Sequence, residues 1–348
     1  MRARPVATAV SIISVVLAAA APASAQAPGA IPLATSPVKP NPAAPAPKPS
    51  RNVKAAPKPA AAPVGEPDFA FGAYQRGYYL TAFAEATKRV NANADPRSMT
   101  LLAELYANGL GVPNNDGEAA KWYALAAQRG DREAMFALAM FRIGGRGGPR
   151  DVAEGARLLD EAAKLGHAAA AYDLGLLYLE GRQFPQDVKH AAELFQIAAQ
   201  AGNPEAQYAL ATLYKDGRGV AQDAQKAAQL MAAAAQADFI DAEVEYAIAL
   251  FNGTGTPKDE ARAVALFRKA AMRGNPVAQN RLARILASGR GVAAADPVQA
   301  VKWHLIAKAA GESDSFLDEF VRKQTPETRA AAESQAKPWL DMIAQSRS

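Results

Sequence analysis

The sequence predicts an all-α fold, a right-handed α/α superhelical solenoid of about six 36-residue helical hairpins with N-terminal opening helices and C-terminal capping helices. Three observations predict it. Gly109, Gly145, Gly181, Gly217, Gly253 and Gly289 recur every 36 residues, and so do Leu102, Leu138, Leu174, Leu210, Tyr246 and Leu282. Asn115, Asp151, Asp187, Asp223 and Asp259 keep the same period as helix-capping side chains, then slip by one to Asp296 after the alanine inserted in Ala293-Ala294-Ala295. Gly130, Gly166, Gly202 and Gly274 form a further register, broken at Asp238 and Ala310. One such hairpin cannot bury its own apolar faces, so it needs neighbours stacked on both sides.

In chain order, Arg2 and Arg4, a hydrophobic run from Val6 to Ala21 and then Pro22-Ala23-Ser24-Ala25 have the layout of a secretory signal peptide cleaved after Ala25. The run falls short of the roughly 20 residues that a membrane span needs. Residues 1–25 are therefore expected to leave a periplasmic or secreted chain with no integral membrane span. Cysteine is absent, which rules out a lipoprotein anchor and leaves stability to packing alone. Residues 26–65 hold eleven prolines and five basic side chains, Lys39, Lys48, Arg51, Lys54 and Lys58, and scarcely any large apolar residue. Such a segment is expected to be a disordered spacer, and its lysines offer a second use against an anionic envelope surface.

Residues 66–95 are expected to form an opening hairpin. Ala84 stands 36 residues before Ala120, and Tyr74, Tyr78 and Tyr79 are its expected packing residues. Six repeats then run over residues 96–311. In the clearest, Asn203-Pro204 starts helix A, Ala206, Leu210, Leu213 and Tyr214 make its apolar face, and Gly217 and Gly219 supply left-handed turn positions. Asp223 caps helix B, whose Ala227, Ala228, Leu230, Ala234 and Ala235 give a small-residue face. Residues 312–348 are expected to cap the array. Asp314 or Ser315 starts a short helix through Phe316, Leu317 and Phe320, and Thr325-Pro326 starts a last one with Ala332, Ala336, Trp339 and Ile343 on one stripe.

Charge argues against nucleic acid as a partner. Of 39 basic residues seven lie in residues 1–65, which hold no acid, so the rest of the chain has 32 basic against 34 acidic side chains. A near-neutral solenoid lacks a clustered basic face. No catalytic, cofactor or metal site is predicted. Gly144-Gly145-Arg146-Gly147-Gly148 resembles a phosphate loop but recurs as the inter-helix turn, and no strand precedes it. Ser334-Gln335-Ala336-Lys337 matches S-x-x-K without the partner motifs of penicillin-recognising enzymes. His167, His190 and His304 have no metal-ligand spacing and read as structural or solvated.

LYANGLGVPNND, LYLEGRQFPQD and LYKDGRGVAQD, each followed by alanines ending in AAQRGD, AAQAGN or AAMRGN, resemble the Sel-one-like repeat, a relative of the tetratricopeptide repeat. The resemblance covers about 216 of 348 residues. It implies a solenoid that serves as a protein-interaction scaffold, with an inner groove lined mainly by helix A. Some exported members regulate sensor kinases, so it also implies a membrane sensor kinase or an envelope assembly component as partner. The disulfide-stapled branch to which enzymatic activity is attributed carries cysteines that this chain lacks. Beside Leu210 and Tyr214, helix A presents Tyr208, Thr212 and Lys215. The equivalents are Phe136, Met140 and Ile143; Tyr172, Leu176 and Leu179; and Val244, Ile248 and Phe251, with polar Thr100, Glu104, Asn280 and Arg284 at the two ends. An apolar stripe of this kind marks either a peptide-binding groove or a second core, and helical spacing does not separate the two. A glycan-binding or cell-wall-processing envelope protein is the alternative, expected to show convergent carboxylates or stacked tryptophans in the groove.

Overall fold

Caps and turns divide the chain into helices before any packing is considered. The computed structural model describes residues 68–347, Arg347 by its backbone only. The expected leader of residues 1–25 and spacer of residues 26–65 lie outside the described residues, as do residues 66, 67 and 348. Every regular element described is a helix. An opening pair, α1 (Phe69–Gln75) and α2 (Tyr79–Asn93), precedes six hairpins. These are α3 (Pro96–Asn108) with α4 (Asp116–Gln128), α5 (Arg132–Gly144) with α6 (Val152–Lys164), and α7 (Ala168–Glu180) with α8 (Val188–Gln200). Then come α9 (Pro204–Asp216) with α10 (Ala224–Gln236), α11 (Ile240–Asn252) with α12 (Glu260–Met272), and α13 (Pro276–Ser288) with α14 (Pro297–Ala309). Finally α15 (Ser315–Arg322) and α16 (Pro326–Arg347) follow. From α1 to α14 each helix packs on its neighbours in sequence, which is the geometry of a helical solenoid, and α16 packs back on α14.

The six predicted helix-B caps act as caps. Asn115, Asp151, Asp187, Asp223, Asp259 and Asp296 each accept a hydrogen bond from the amide three residues on. Such a cap stabilises a helix by about 1 kcal/mol. Every helix A of the repeats ends on a left-handed glycine, as at Gly217 with φ 68°. The second turn glycine has another cause. A Cβ on Gly147, Gly219 or Gly255 would stand 2.2, 2.6 or 1.9 Å from the carbonyl oxygen of Asp116, Val188 or Ala224, so each turn lies on the first turn of the preceding helix B. Gln183 replaces that glycine and is not left-handed, so the turn after α7 takes a different path. Asp238, in place of a terminal glycine, adopts the left-handed conformation itself with φ 61°, while after α14 Gly311 rather than Ala310 takes it.

The core runs along the hairpins. Helix B of every repeat buries a large side chain at one recurring place, Tyr123, Leu159, Phe195, Met231, Phe267 and His304. In α10 this corrects the expected face: Met231 is buried where Leu230 is only partly so. The side chain inward of Leu230 is set by the crossing of two helices, which the spacing within one helix does not report. Against Phe195 the partner helix carries Gly175, where a Cβ would stand 2.6 Å from the ring.

Both ends differ from the expectation in detail. Tyr74 and Tyr79 pack together beside Ala82, Ala86 and Leu102, but Tyr78 is 63 % exposed. The cap position of α2 is Tyr78, 37 residues before Asn115 rather than 36, so Ala82 takes the buried place of Ala119 and Ala84 faces out. At the other end Asp314, not Ser315, caps α15. Leu317, Ala332 and Ala336 are buried, and the rings of Trp303 and Trp339 meet at 5.6 Å to close the last hairpin.

Candidate protein-binding face

Helix A of each repeat offers the same positions to one face, and the structure divides the predicted residues there into three kinds. Phe136, Met140, Ile143, Tyr172, Tyr208, Ile248 and Phe251 are half-buried and keep part of their surface open. Leu176, 3 % exposed, and Thr212, whose hydroxyl donates to the Tyr208 carbonyl at 3.0 Å, are internal and have little to offer a partner. That corrects their assignment to a groove: both side chains are buried in the packing of the helices. Lys215 is exposed and pairs with Glu245 at 3.1 Å.

The aromatic side chains are braced by neighbours. Phe136 stacks on His167 with ring centroids 4.5 Å apart. His167 Nδ1 accepts the Ala170 amide, so Nε2 carries the proton and donates to Glu133 at 3.0 Å. This histidine caps α7 and is structural. Tyr172 leans on Phe195 at 5.6 Å and Tyr208 on Phe239 at 5.3 Å. His304 is likewise structural, buried and bonded through Nε2 to Asp318 at 2.8 Å. His190 is half-exposed beside Tyr178.

Carboxylates flank the two tyrosines, a feature the apolar stripe did not reveal. Burial, then Asp173 and Glu205, push the Tyr172 hydroxyl up to about 12. Burial, then Glu245 and Asp241, do the same to Tyr208, also to about 12. Asp173 is itself pushed up to about 7 by burial and by Glu205. The sequence signal was the residue after the tyrosine, sixth in its helix, which reads Leu101, Ala137, Asp173, Ala209, Glu245 and Arg281 down the array.

Open cavities lie at the two ends of this face. Toward the N-terminus one of about 660 Å³ is lined by Phe71, Thr100, Glu104, Asp131, Glu133 and three arginines, Arg97, Arg129 and Arg132. Burial raises Glu104 there, against a hydrogen bond from Tyr74 that lowers it, with Glu133 and Asp131 adding to the rise. Toward the C-terminus a cavity of about 320 Å³ has Ile248, Phe251 and Phe267 beside Arg281, Arg284 and Arg290, with Arg290 4.6 Å over the Phe251 ring. The motifs set aside in the sequence gain no chemistry from their surroundings. Gly147 is pressed against Asp116, and Ser334 and Lys337 are exposed on α16.

Six stacked hairpins with left-handed glycine ends and Asx caps define a tetratricopeptide-like helical repeat protein. A family model described as Sel1 repeat matches residues 96–131, 132–167, 168–203, 204–239, 240–275 and 276–312, and the chain belongs to that family. Among solved structures it is similar to a Sel1 repeat protein from Oxalobacter formigenes, with 26% identity and a TM-score of 0.57, covering 71% of this chain and 96% of that one. It is also similar to a protective antigen of uropathogenic Escherichia coli strains displaying an SLR fold. There the identity is 27% and the TM-score 0.53, over 77% of this chain and 65% of that one. No curated protein matches. Sel1 repeat proteins are generally protein-interaction scaffolds, and their family is typically non-catalytic. No helix among the described residues is long and apolar enough to cross a membrane.

Proposed function

We propose that this chain is an exported scaffold or regulator that binds a protein partner in the bacterial cell envelope through its helix-A face. The observation that carries the reading is the half-open row of Phe136 and Met140, Tyr172 and Tyr208 on α5, α7 and α9, with the three rings braced by His167, Phe195 and Phe239. Rigid, partly desolvated aromatic side chains lose little entropy on contact and make effective anchors for a partner helix or peptide. The leader of residues 1–25, read from the sequence, supports export, and a membrane sensor kinase or an envelope assembly component is the kind of partner proposed. No step of chemistry is assigned, since the fold supplies recognition and the site supplies no nucleophile with a base beside it.

The carboxylates beside Tyr172 and Tyr208 favour a second reading, in which the face takes a cell-wall glycan or peptide. Tryptophan platforms do not support it, because Trp122, Trp303 and Trp339 lie on α4, α14 and α16. Capture from envelope extract by the full chain, compared with a Phe136→Ala, Tyr172→Ala, Tyr208→Ala variant that keeps its helicity, tests both. A protein lost by the variant supports the scaffold. Binding to purified sacculi that the variant loses, with no protein captured by either form, replaces it with the second reading.

A further inference from the structure

Asp173 has no partner among the described residues. It is 7 % exposed, and no hydrogen bond or ion pair from those residues reaches its carboxylate. Comparable acids in the array are neutralised from within. Glu243, fully buried, meets Lys269 at 2.6 Å and Arg273 at 3.2 Å. Asp314 meets Arg284 at 2.5 Å. The closest parallel is Glu245, which occupies in α11 the sixth place that Asp173 occupies in α7. Glu245 receives Lys215 from the twelfth place of the helix A before it, at 3.1 Å. Two repeats earlier that twelfth place holds Ile143. So the step from α5 to α7 has the acid without a lysine at the twelfth place, and the charged side chain that acts on Asp173, Glu205 on α9, has the same sign.

Asp173 is thus a buried carboxyl group to which no cation among the described residues is paired. We propose that the α5–α7 step of the helix-A face binds a lysine or arginine side chain from a protein partner, seated on Asp173 with Glu205 beyond it. The occupant is a cationic segment, fixed by charge complementarity and by the way Lys215 reaches Glu245 along the same face. Phe136 and Tyr172, the fifth residues of α5 and α7, flank the approach, and an arginine fits such aromatic and acidic surroundings through its planar face and its forked donors. A metal ion does not, since no cluster of three acidic or histidine ligands exists among the described residues. The inference rests on the protein-binding reading and names the chemistry of the partner.

Fluorescence anisotropy on the full chain tests it, with a labelled peptide of alternating arginine and alanine and its glutamine-for-arginine counterpart as probes. The arginine peptide is expected to bind, and Asp173→Asn and Ile143→Lys are each expected to weaken it about tenfold. Ile143→Lys installs the missing internal cation, so its loss of binding separates a vacant seat from general acidity. Glu118→Gln, which alters a half-exposed acid on α4 already paired with Lys121, should bind as the wild type does. Equal binding by wild type, Asp173→Asn and Ile143→Lys overturns the proposal, as does equal binding of the glutamine peptide. The broader reading is judged separately: if the aromatic triple variant loses the envelope partner while Asp173→Asn and Ile143→Lys retain it, the face stands as a scaffold and the cationic seat fails.

Discussion

The α5–α7 step and the steps from α9 to α15 treat a buried acid differently. From α9 onward three buried or half-buried acids at junctions between repeats have a cation from the chain: Lys215 for Glu245, Lys269 and Arg273 for Glu243, Arg284 for Asp314. Between α5 and α9, Asp173 stands without one. The difference teaches that similar backbones and similar positions do not imply similar electrostatics. Glu245, Glu243 and Asp314 are neutralised by their neighbours in the array, and Asp173 has no such neighbour among the described residues.

The contrast can be broken most severely where compensation is complete. Lys269→Ala combined with Arg273→Ala strands Glu243 with no exposure, and should cost about 4 kcal/mol in denaturant unfolding. In the middle, Asp173→Asn should stabilise. Its folded carboxyl is raised from 3.8 to about 7, so the folded chain holds a proton that the unfolded chain has released. Wild-type stability therefore falls as pH rises from about 4 through about 7, whereas the Asn variant escapes that loss. The gain should reach about 4 kcal/mol at pH 8 and vanish near pH 4 in parallel melts. Ile143→Lys sharpens the comparison by copying the Lys215–Glu245 pair into the middle, with an expected gain of about 1 kcal/mol at pH 8. Lys215→Ala should have the smallest effect, about 0.5 kcal/mol, because both it and Glu245 remain partly in water. A middle that responds like the C-terminal half in this series removes the distinction.

Much of the fold was legible because its determinants are local. An Asx cap acts three residues away and a left-handed glycine acts within one turn, so Asp223 and Gly217 declared their roles without reference to the rest of the chain. The packing residues were less legible. Met231 rather than Leu230 faces inward, and Tyr78 is exposed while Tyr79 packs, because each choice depends on how one helix crosses the next. The face was legible as a row of positions on helix A but not as a surface. Spacing could not tell that Leu176 and Thr212 would close while Tyr172 and Tyr208 stayed half-open. Asp173 was hidden for a related reason: its meaning lies in Ile143, thirty residues away on another helix, and shows only when set beside Lys215 and Glu245.

The extra alanine before α14 shifts the buried column from the Trp303 position to His304, yet Asp296 caps the helix as its counterparts do and the core beneath is closed. Each cap thus works as a fresh reading frame. An added residue is forgotten within one hairpin instead of propagating down the rod, which lets lineages of such arrays vary their turns freely while the stacked interior goes on counting from its own marks.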